Sequence, residues 1–327
     1  MIYRDFYGFG RELSVLCLGT GFYDGITISD SDAFRQLEYY LENGGNFIDT
    51  AHLYGFPDSR AERILGAFFR GSGFRDKVFL CSKGAHPPLE NMSRSRVNRS
   101  DIFSDMEKSL EYLDTDCIDL YFLHRDDEKI PAGEITEWMN ELIRKGMTRA
   151  WGVSNWKTDR IRQASEYAAG RGLTGPSCNQ AMWSYASVNR SRLRDQTLVP
   201  MDRSMFEYHR NTKMPLMAYT SQARGYFPLR LMGRSVSEDF KGVYDSAEND
   251  VKYERICSVS RETGISVSAL SMLFFLLQPF GAFPIVTYAN PKHFEETLDG
   301  LREENLDAAS QILFQFFVLS RTAYIAP

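Results

Sequence analysis

The segment Asn46-Phe47-Ile48-Asp49-Thr50-Ala51-His52-Leu53-Tyr54-Gly55 sets a pattern that recurs along this chain of 327 residues. It opens as a strand-like apolar run, ends in an ionisable residue, Asp49, and carries a tyrosine, Tyr54, five residues later. Two later strand-like runs also end in ionisable residues, Lys83 and His124. Barrel enzymes collect their chemistry at one end of their strands. An acid, a phenol, an amine and an imidazole at successive strand ends therefore predict an active site.

On both sides of that segment, strand-like runs alternate with stretches of helical period. Strands are predicted at residues 13–22, 46–50, 77–82, 118–123, 149–153, 177–183, 215–219 and 283–287. Helices are predicted at residues 29–42, 61–69, 100–113, 133–145, 158–171, 202–211, 250–263, 266–277 and 291–301. Eight strand–helix units without a linker-like break predict one domain over residues 1–327, a (β/α)8 TIM barrel. Residues 2–4, turning at residues 8–10, are expected to form a β-hairpin that closes the barrel floor.

Composition limits the class of protein and its partners. A net charge of −5 and a pI near 5.7 argue against a nucleic-acid surface, which Arg94, Arg96 and Arg99 are too few to reverse. Five cysteines without a C-x-x-C pair favour a reducing environment over a disulfide scaffold. The histidine spacing matches no metal-binding pattern, so no metal is expected.

The apolar segments are too short for membrane insertion. The N-terminus lacks the apolar region of a signal peptide, and the most apolar run, residues 270–277, cannot span a bilayer. We therefore expect a soluble cytoplasmic protein with no membrane partner, while the sequence indicates no particular oligomeric state.

The residues at the strand ends form a chemical set. Alternation along a strand places Lys83 on the same face as Cys81 and Phe79. The polar residue at the end of the strand therefore follows a column of apolar residues on that face. A tyrosine has a pKa near 10, and a nearby ammonium stabilises its phenolate. We therefore expect Lys83, held by Asp49, to lower the pKa of Tyr54.

That set is suited to the reduction of a carbonyl group. Tyr54 acts as the general acid toward an oxygen that becomes an alkoxide, and a neutral His124 orients the carbonyl. No side chain can donate a hydride, so a nicotinamide cofactor is implied. The expected partner is a small carbonyl or alcohol substrate.

The ordered motifs resemble those of the aldo-keto reductases nearly from end to end. Residues 49–55 resemble the family's D-x-x-x-x-Y-G segment, and residues 109–124 its second signature. Residues 152–155, Gly-Val-Ser-Asn, and Asn179-Gln180 resemble its nicotinamide-binding strand ends. The resemblance implies that Ser154, Asn155 and Gln180 hold the carboxamide and that Tyr219 stacks on the ring. It also implies cofactor contacts at Thr220 and Gly225.

Near the end of the chain the match is weaker. Residues 285–297 correspond to the segment with which the family binds the adenosine 2′-phosphate. The resemblance implies that His293 and Thr297 contact this phosphate. Many members have an Arg at the His293 position, and a bidentate Arg is the stronger phosphate partner. The implied cofactor is NADP(H), with NAD(H) as the alternative.

Two other functions fit parts of the sequence. Lys83 could be a Schiff-base nucleophile, as in aldolases. A redox-sensing or assembly protein could keep the barrel and the cofactor but turn over slowly.

Residues outside this set have weaker predicted roles. Substrate specificity is expected in the loops at residues 186–201 and 224–249 and in the C-terminal stretch, residues 314–327. Arg190, Arg192, Arg194, Arg224 and Arg230 are candidate anion-binding residues, although ordinary surface positions explain most of them better. Phe22, Tyr23, Trp156 and Trp183 are candidate pocket walls, and core packing explains each of them almost as well. His52 is predicted to line the pocket or lie at the surface, and His86 and His209 to lie in loops, His86 at the pocket edge.

Overall fold

The computed structural model describes residues 1–6, 8–288, 290–302 and 304–306. Eight parallel strands pair in chain order, and the last closes the ring by pairing with the first. They are β3 (Cys17–Gly19), β4 (Phe47–Asp49), β5 (Phe79–Gly84), β6 (Leu120–Leu123), β7 (Trp151–Ser154), β8 (Asn179–Met182), β9 (Leu216–Tyr219) and β10 (Ala282–Val286). The predicted TIM barrel is confirmed.

Helices surround the barrel. They are α1 (Asp30–Glu42), α2 (Arg60–Ser72), α3 (Arg99–Leu113), α4 (Ala132–Arg144), α5 (Thr158–Arg171), α6 (Arg203–Thr212), α7 (Tyr226–Leu231), α8 (Ala247–Thr263), α9 (Val267–Leu276) and α10 (Pro291–Gly300). All predicted helices are present within a few residues, and α7 is an additional one inside the predicted loop at residues 224–249. Among the described residues, no helix combines the length and the apolar character needed to cross a membrane.

An antiparallel hairpin precedes the barrel, as predicted. It pairs β1 (Tyr3–Asp5) with β2 (Glu12–Ser14). The prediction of one strand at residues 13–22 was wrong, because that run contains the end of the hairpin and the separate barrel strand β3. The chain bends at residues 15–16, between the two strands, and the Ser14 hydroxyl donates to the Leu16 carbonyl at 3.0 Å.

Apolar side chains fill the barrel below the polar strand ends. Phe6, from the hairpin, is fully buried and packs against the rings of Phe47, Phe79 and Phe283. The interior cluster is completed by Leu13, Cys17, Cys81, Leu120, Phe122, Ala150, Cys178 and Met217. The predicted column under Lys83 is therefore confirmed, and the floor is packed. Among the described residues, the end of the barrel that remains for a ligand to approach is the one that carries the polar strand ends.

Two glycines of α2 provide a stability prediction. A Cβ at Gly66 would lie 2.1 Å from the Tyr112 carbonyl oxygen of α3, whereas a Cβ at Gly71 meets nothing within 4 Å. We expect Gly66→Ala to lower the free energy of unfolding by roughly 1–3 kcal/mol through overpacking. Gly71→Ala should raise it by about 0.5–1 kcal/mol through higher helix propensity. Urea denaturation measures both, and equal effects would contradict the close approach of α2 and α3.

Candidate active site

Six side chains with predicted roles meet at the carboxyl ends of the barrel strands. Their positions are Asp49 at the end of β4, Lys83 next to the last residue of β5, His124 directly after β6, Ser154 at the end of β7, Gln180 in β8 and Tyr219 at the end of β9. Parallel strands that pair in chain order bring these ends into one ring. Tyr54 lies in the loop between β4 and α2.

A buried ion pair forms the centre of this ring. Lys83 Nζ lies 2.6 Å from Asp49 Oδ2 and donates to the Thr50 carbonyl at 2.7 Å, and Gln180 Nε2 donates to Asp49 Oδ1 at 2.9 Å. Burial opposes the charge on Lys83, but Asp49 and Tyr54 outweigh it and raise the pKa of Lys83 above its usual range. The lysine is therefore an ammonium at neutral pH, as expected from the sequence.

Tyr54 lies between the ammonium and the imidazole. Lys83 Nζ is 5.0 Å from the centre of the Tyr54 ring, and the His124 ring centre is 6.0 Å away at an interplanar angle of 79°. Burial raises the pKa of Tyr54 by more than Lys83 lowers it, so the net shift is upward. The expectation of a lowered pKa was wrong because the sequence shows the charge but not the desolvation. The phenol is therefore protonated at neutral pH.

His124 is an uncharged imidazole. Burial is the largest cause that lowers its pKa well below the usual value, and the charges of Arg125, His86 and Lys83 act in the same direction. His86 packs edge-on against His124 with ring centres 4.7 Å apart, and burial lowers the pKa of His86 to about 4. A neutral imidazole donates or accepts a hydrogen bond without adding charge. The predicted place of His86 at the pocket edge agrees with this contact.

Asn155 is fully engaged by protein groups. Its Nδ2 donates to the His124 carbonyl at 3.2 Å and to Ser154 Oγ at 3.0 Å. Its Oδ1 accepts from the Tyr219 hydroxyl at 2.6 Å and from the Val199 N–H at 3.2 Å. A side-chain amide has two donors and two acceptor sites, and all four are used. Asn155 therefore has no capacity left for a ligand in this conformation, which differs from the direct contact implied by the resemblance.

The neighbouring groups keep free hydrogen-bonding capacity. Ser154 Oγ accepts from Asn155, which leaves its hydrogen to donate. In the described part of the chain, Gln180 uses one amide hydrogen on Asp49 and leaves Oε1 without a partner. The bond to Asn155 fixes the orientation of the Tyr219 ring. A donor, an acceptor and an aromatic face fit an aromatic ring that carries a carboxamide.

The turn after β9 bends sharply through residues of positive φ. Thr220 has φ of 51°, and Gly225 has φ of 80° where α7 begins. The Thr220 hydroxyl is buried and has no partner among the described residues. Residues other than glycine rarely adopt positive φ, and strained turns cluster at ligand sites.

The two residues implied in phosphate binding differ in accessibility. His293 is exposed near the start of α10. Thr297 is fully buried, and its hydroxyl donates to the His293 carbonyl at 2.7 Å. Of these two residues, only His293 has a side chain accessible to a ligand, because the Thr297 hydroxyl is buried and hydrogen-bonded to a backbone carbonyl of its own helix.

An arginine that the sequence did not single out anchors one long loop. Arg125 donates to the His124 carbonyl at 2.8 Å and to Asp195 at 2.9 Å and Thr197 at 2.9 Å in the loop at residues 186–201. The Val199 N–H from the same loop bonds to Asn155. The loop therefore lies across the ends of β6 and β7. The position of Arg125 directly after His124 was the available signal, but its partners are distant in sequence.

Several residues with weaker predicted roles lie away from the ring. Tyr23 and Trp156 are fully buried, and Trp183 packs among Phe274, Phe275 and Phe280. They are core residues and not pocket walls, because their rings fill the layer between strands and helices.

Two histidines also differ from their predicted places. His52 is partly buried and bonds outside the barrel to Ser59 and Glu62, 3.1 and 3.4 Å from its Nδ1. His209 is in α6, not in a loop, and is fully buried. The C-terminal stretch at residues 314–327 lies outside the described residues. Within those described, no cluster of three or more His, Cys, Asp or Glu residues could hold a metal ion.

The chain is similar to known proteins along most of its length. The model of the aldo/keto reductase family matches residues 15–311. The chain is 30% identical to the aldo-keto reductase YhdN of Bacillus subtilis (strain 168) over 259 residues, 78% of this chain and 71% of that protein. It is 26% identical to the uncharacterized oxidoreductase YrpG of the same organism over 322 residues, 93% and 91% of the two chains.

A solved structure supports the fold alone. The thermostable aldo-keto reductase Tm1743, crystallised with the inhibitor epalrestat, superposes with a TM-score of 0.67 at 23% identity. The match covers 95% of this chain and 100% of that one.

Proposed function

This chain belongs to the aldo/keto reductase family of oxidoreductases, and on that premise we propose that it reduces an aldehyde or ketone to an alcohol. The observation that carries the proposal is the buried Lys83–Asp49 pair, 2.6 Å between charged atoms, beside a protonated Tyr54. The nicotinamide cofactor, NADP(H) or NAD(H), supplies the hydride when bound.

In the proposed mechanism two side chains act on the carbonyl oxygen, and Lys83 and Asp49 act through Tyr54. His124, neutral at the working pH, orients the oxygen by hydrogen bonding. Tyr54 donates its proton as negative charge develops on that oxygen. The Lys83 ammonium then stabilises the phenolate, because a unit charge at ~4 Å contributes about 4 kcal/mol at an effective dielectric near 20. Asp49 keeps the ammonium charged and in place.

In the same proposal the other strand ends hold the cofactor. When the cofactor is bound, Ser154 and Gln180 would hold its carboxamide and Tyr219 would stack on its ring. Asn155 positions Ser154 and Tyr219 through its own hydrogen bonds. Thr220 and Gly225, in the turn after β9, would contact the bound cofactor.

The charge on Lys83 argues against the aldolase alternative. A Schiff base forms from a neutral amine. Lys83 has a raised pKa and is held by Asp49 and the Thr50 carbonyl. The aldolase would require Asp49 to give up its partner inside the barrel, where an unpaired charge is costly.

The test is loss of absorbance at 340 nm when NADPH and a panel of aldehydes and ketones are added. We expect turnover with some of them. No turnover by folded protein that binds the cofactor would contradict the proposal. A slow single turnover with tight cofactor retention would instead favour a redox-sensing or assembly protein.

His293 provides a prediction about cofactor choice. An imidazole is a weaker phosphate partner than a bidentate guanidinium, and His293 is exposed at the start of α10. We expect His293→Arg to tighten NADPH binding by about 10-fold, the effect of one added hydrogen bond to a charged group. NADH, which lacks the 2′-phosphate, should bind as before. Fluorescence titration with both cofactors measures the change, and an equal gain for NADH would contradict a 2′-phosphate site here.

A further inference from the structure

The loop that carries Tyr54 is fixed on both of its sides. The His52 N–H donates to the Lys83 carbonyl of β5 at 2.9 Å, and the Ala61 N–H of α2 donates to the Tyr54 carbonyl at 3.2 Å. The Ser59 hydroxyl donates to the His52 carbonyl at 2.6 Å. Tyr54 therefore lies on a short segment that is held between the strand of Lys83 and the start of α2.

This segment gains little from burial. Residues 52–55 are only partly buried and residues 56–58 are exposed, with 58% of the Phe56 surface accessible. The position of the segment therefore depends on the polar contacts at its ends.

Glu62 joins those two ends. It is in the first turn of α2 and is fully buried, where a polar group is costly unless it is hydrogen-bonded. Its Oε1 accepts from the hydroxyl of Ser82, the residue before Lys83 in β5, at 2.5 Å. Its Oε2 lies 3.4 Å from His52 Nδ1. One carboxylate thus connects the strand of Lys83 to the loop of Tyr54.

Ser59 contributes to the same connection in place of its usual role. It is the N-cap of α2, where a serine side chain normally accepts a hydrogen bond from a helix N–H group. Ser59 makes no such bond, and its hydroxyl instead donates to the His52 carbonyl and lies 3.1 Å from His52 Nδ1. Its φ of 50° is strained for a residue other than glycine, and such residues cluster at functional sites.

The other ring nitrogen of His52 faces a second fixed carboxylate. His52 Nε2 is 3.8 Å from Asp105 Oδ1. Asp105 is paired with Arg96 at 2.6 Å and accepts from the N–H of Ala85, the residue after β5, at 2.9 Å. Both carboxylates beside His52 are therefore tied to β5 or to the residue that follows it.

We propose that Glu62 is a positioning residue that sets the separation of Tyr54 from Lys83, by linking the loop of one to the strand of the other. The inference rests on the proposed reductase function. Glu62 contacts neither the carbonyl nor the cofactor in this proposal, and it acts only through Tyr54 and Lys83.

The test removes the carboxylate of Glu62 at nearly constant volume. Glu62→Met should lower kcat for carbonyl reduction by about 10- to 100-fold, because a displacement of about 1 Å between groups at the reacting centre can cost ~10²-fold. KM and the Kd for NADPH should change little. Glu62→Gln keeps an oxygen for the Ser82 hydroxyl and should recover most of kcat.

Two further variants separate positioning from folding. Ser82→Ala removes only the hydroxyl that Glu62 binds, so it should fold normally and also lower kcat. Asp119→Leu is the matched control, because Asp119 is a buried acid that also bonds to β5, at the Leu80 N–H at the amino end of the strand. Its loss should lower stability and leave kcat unchanged.

Hydrogen–deuterium exchange of residues 51–59 provides a readout that needs no turnover. Exchange should be faster in Glu62→Met than in the wild-type protein or Asp119→Leu, because the His52 N–H is bonded to the Lys83 carbonyl. Unchanged kcat in both Glu62→Met and Ser82→Ala, an equal loss of kcat in Asp119→Leu, or unchanged exchange in Glu62→Met would overturn the inference and leave the reductase function intact. A wild-type protein without turnover would contradict the reductase function instead, and exchange would still decide whether Glu62 fixes the loop.

Discussion

Tyr54→Phe is expected to lower kcat for carbonyl reduction by roughly 10²- to 10⁴-fold, the contribution of a positioned general acid. The substitution keeps the ring that packs near His124 and Lys83 and removes only the hydroxyl. Cofactor affinity should be nearly unchanged, because the proposed cofactor contacts are on other strands. The measurements are steady-state kinetics with the best carbonyl substrate and fluorescence titration of NADPH.

A matched control for this substitution is Tyr208→Phe. The Tyr208 hydroxyl lies 3.2 Å from the Ser165 hydroxyl, between α5 and α6 and away from the ring of strand ends. We expect normal turnover from this variant. If Tyr54→Phe were as active as Tyr208→Phe, Tyr54 would not be the proton donor.

Lys83→Met is expected to reduce turnover about as severely as Tyr54→Phe. Burial already raises the pKa of Tyr54, and the Lys83 charge is the main opposing influence. Without it the pKa should rise further, and the phenolate left after proton transfer loses the ~4 kcal/mol estimated for a nearby charge. Kinetics and NADPH titration measure the loss, and cofactor binding should largely persist.

The control for Lys83→Met must separate charge from folding. Removing one partner of a buried ion pair leaves Asp49 uncompensated and can cost about 3–5 kcal/mol of stability. The double variant Lys83→Met with Asp49→Asn removes both charges, so it should recover much of that stability. It should still be inactive. Recovery of turnover together with stability would show that Lys83 supports the fold and not the chemistry.

Local periodicity made much of the barrel predictable from the sequence. The columns ending at Lys83 and His124 follow from alternation along single strands, and the order of strands follows from the chain. The prediction of one strand at residues 13–22 failed because the apolar character of this run continues through the bend at residues 15–16, which separates the hairpin from β3. The extent of the domain through residue 327 stays a prediction.

Properties of the site that depend on burial or on distant partners were not predictable. The direction of the Tyr54 pKa shift is the outcome of desolvation against the Lys83 charge, and desolvation is a property of the folded chain. The four bonds of Asn155 involve Val199 and Tyr219, both more than forty residues away in sequence.

The double-mutant cycle of Tyr54→Phe and Lys83→Met tests the central claim most directly, because Lys83 is proposed to act through Tyr54. The quantity to measure is kcat/KM for one carbonyl substrate in the wild-type protein, both single variants and the double variant. We expect the double variant to be about as slow as Tyr54→Phe alone, a strong non-additivity. Two losses that multiply would contradict the claim, because Lys83 would then act independently of Tyr54. Near-wild-type turnover by Tyr54→Phe with none by Lys83→Met would also contradict it and would favour Lys83 as the nucleophile.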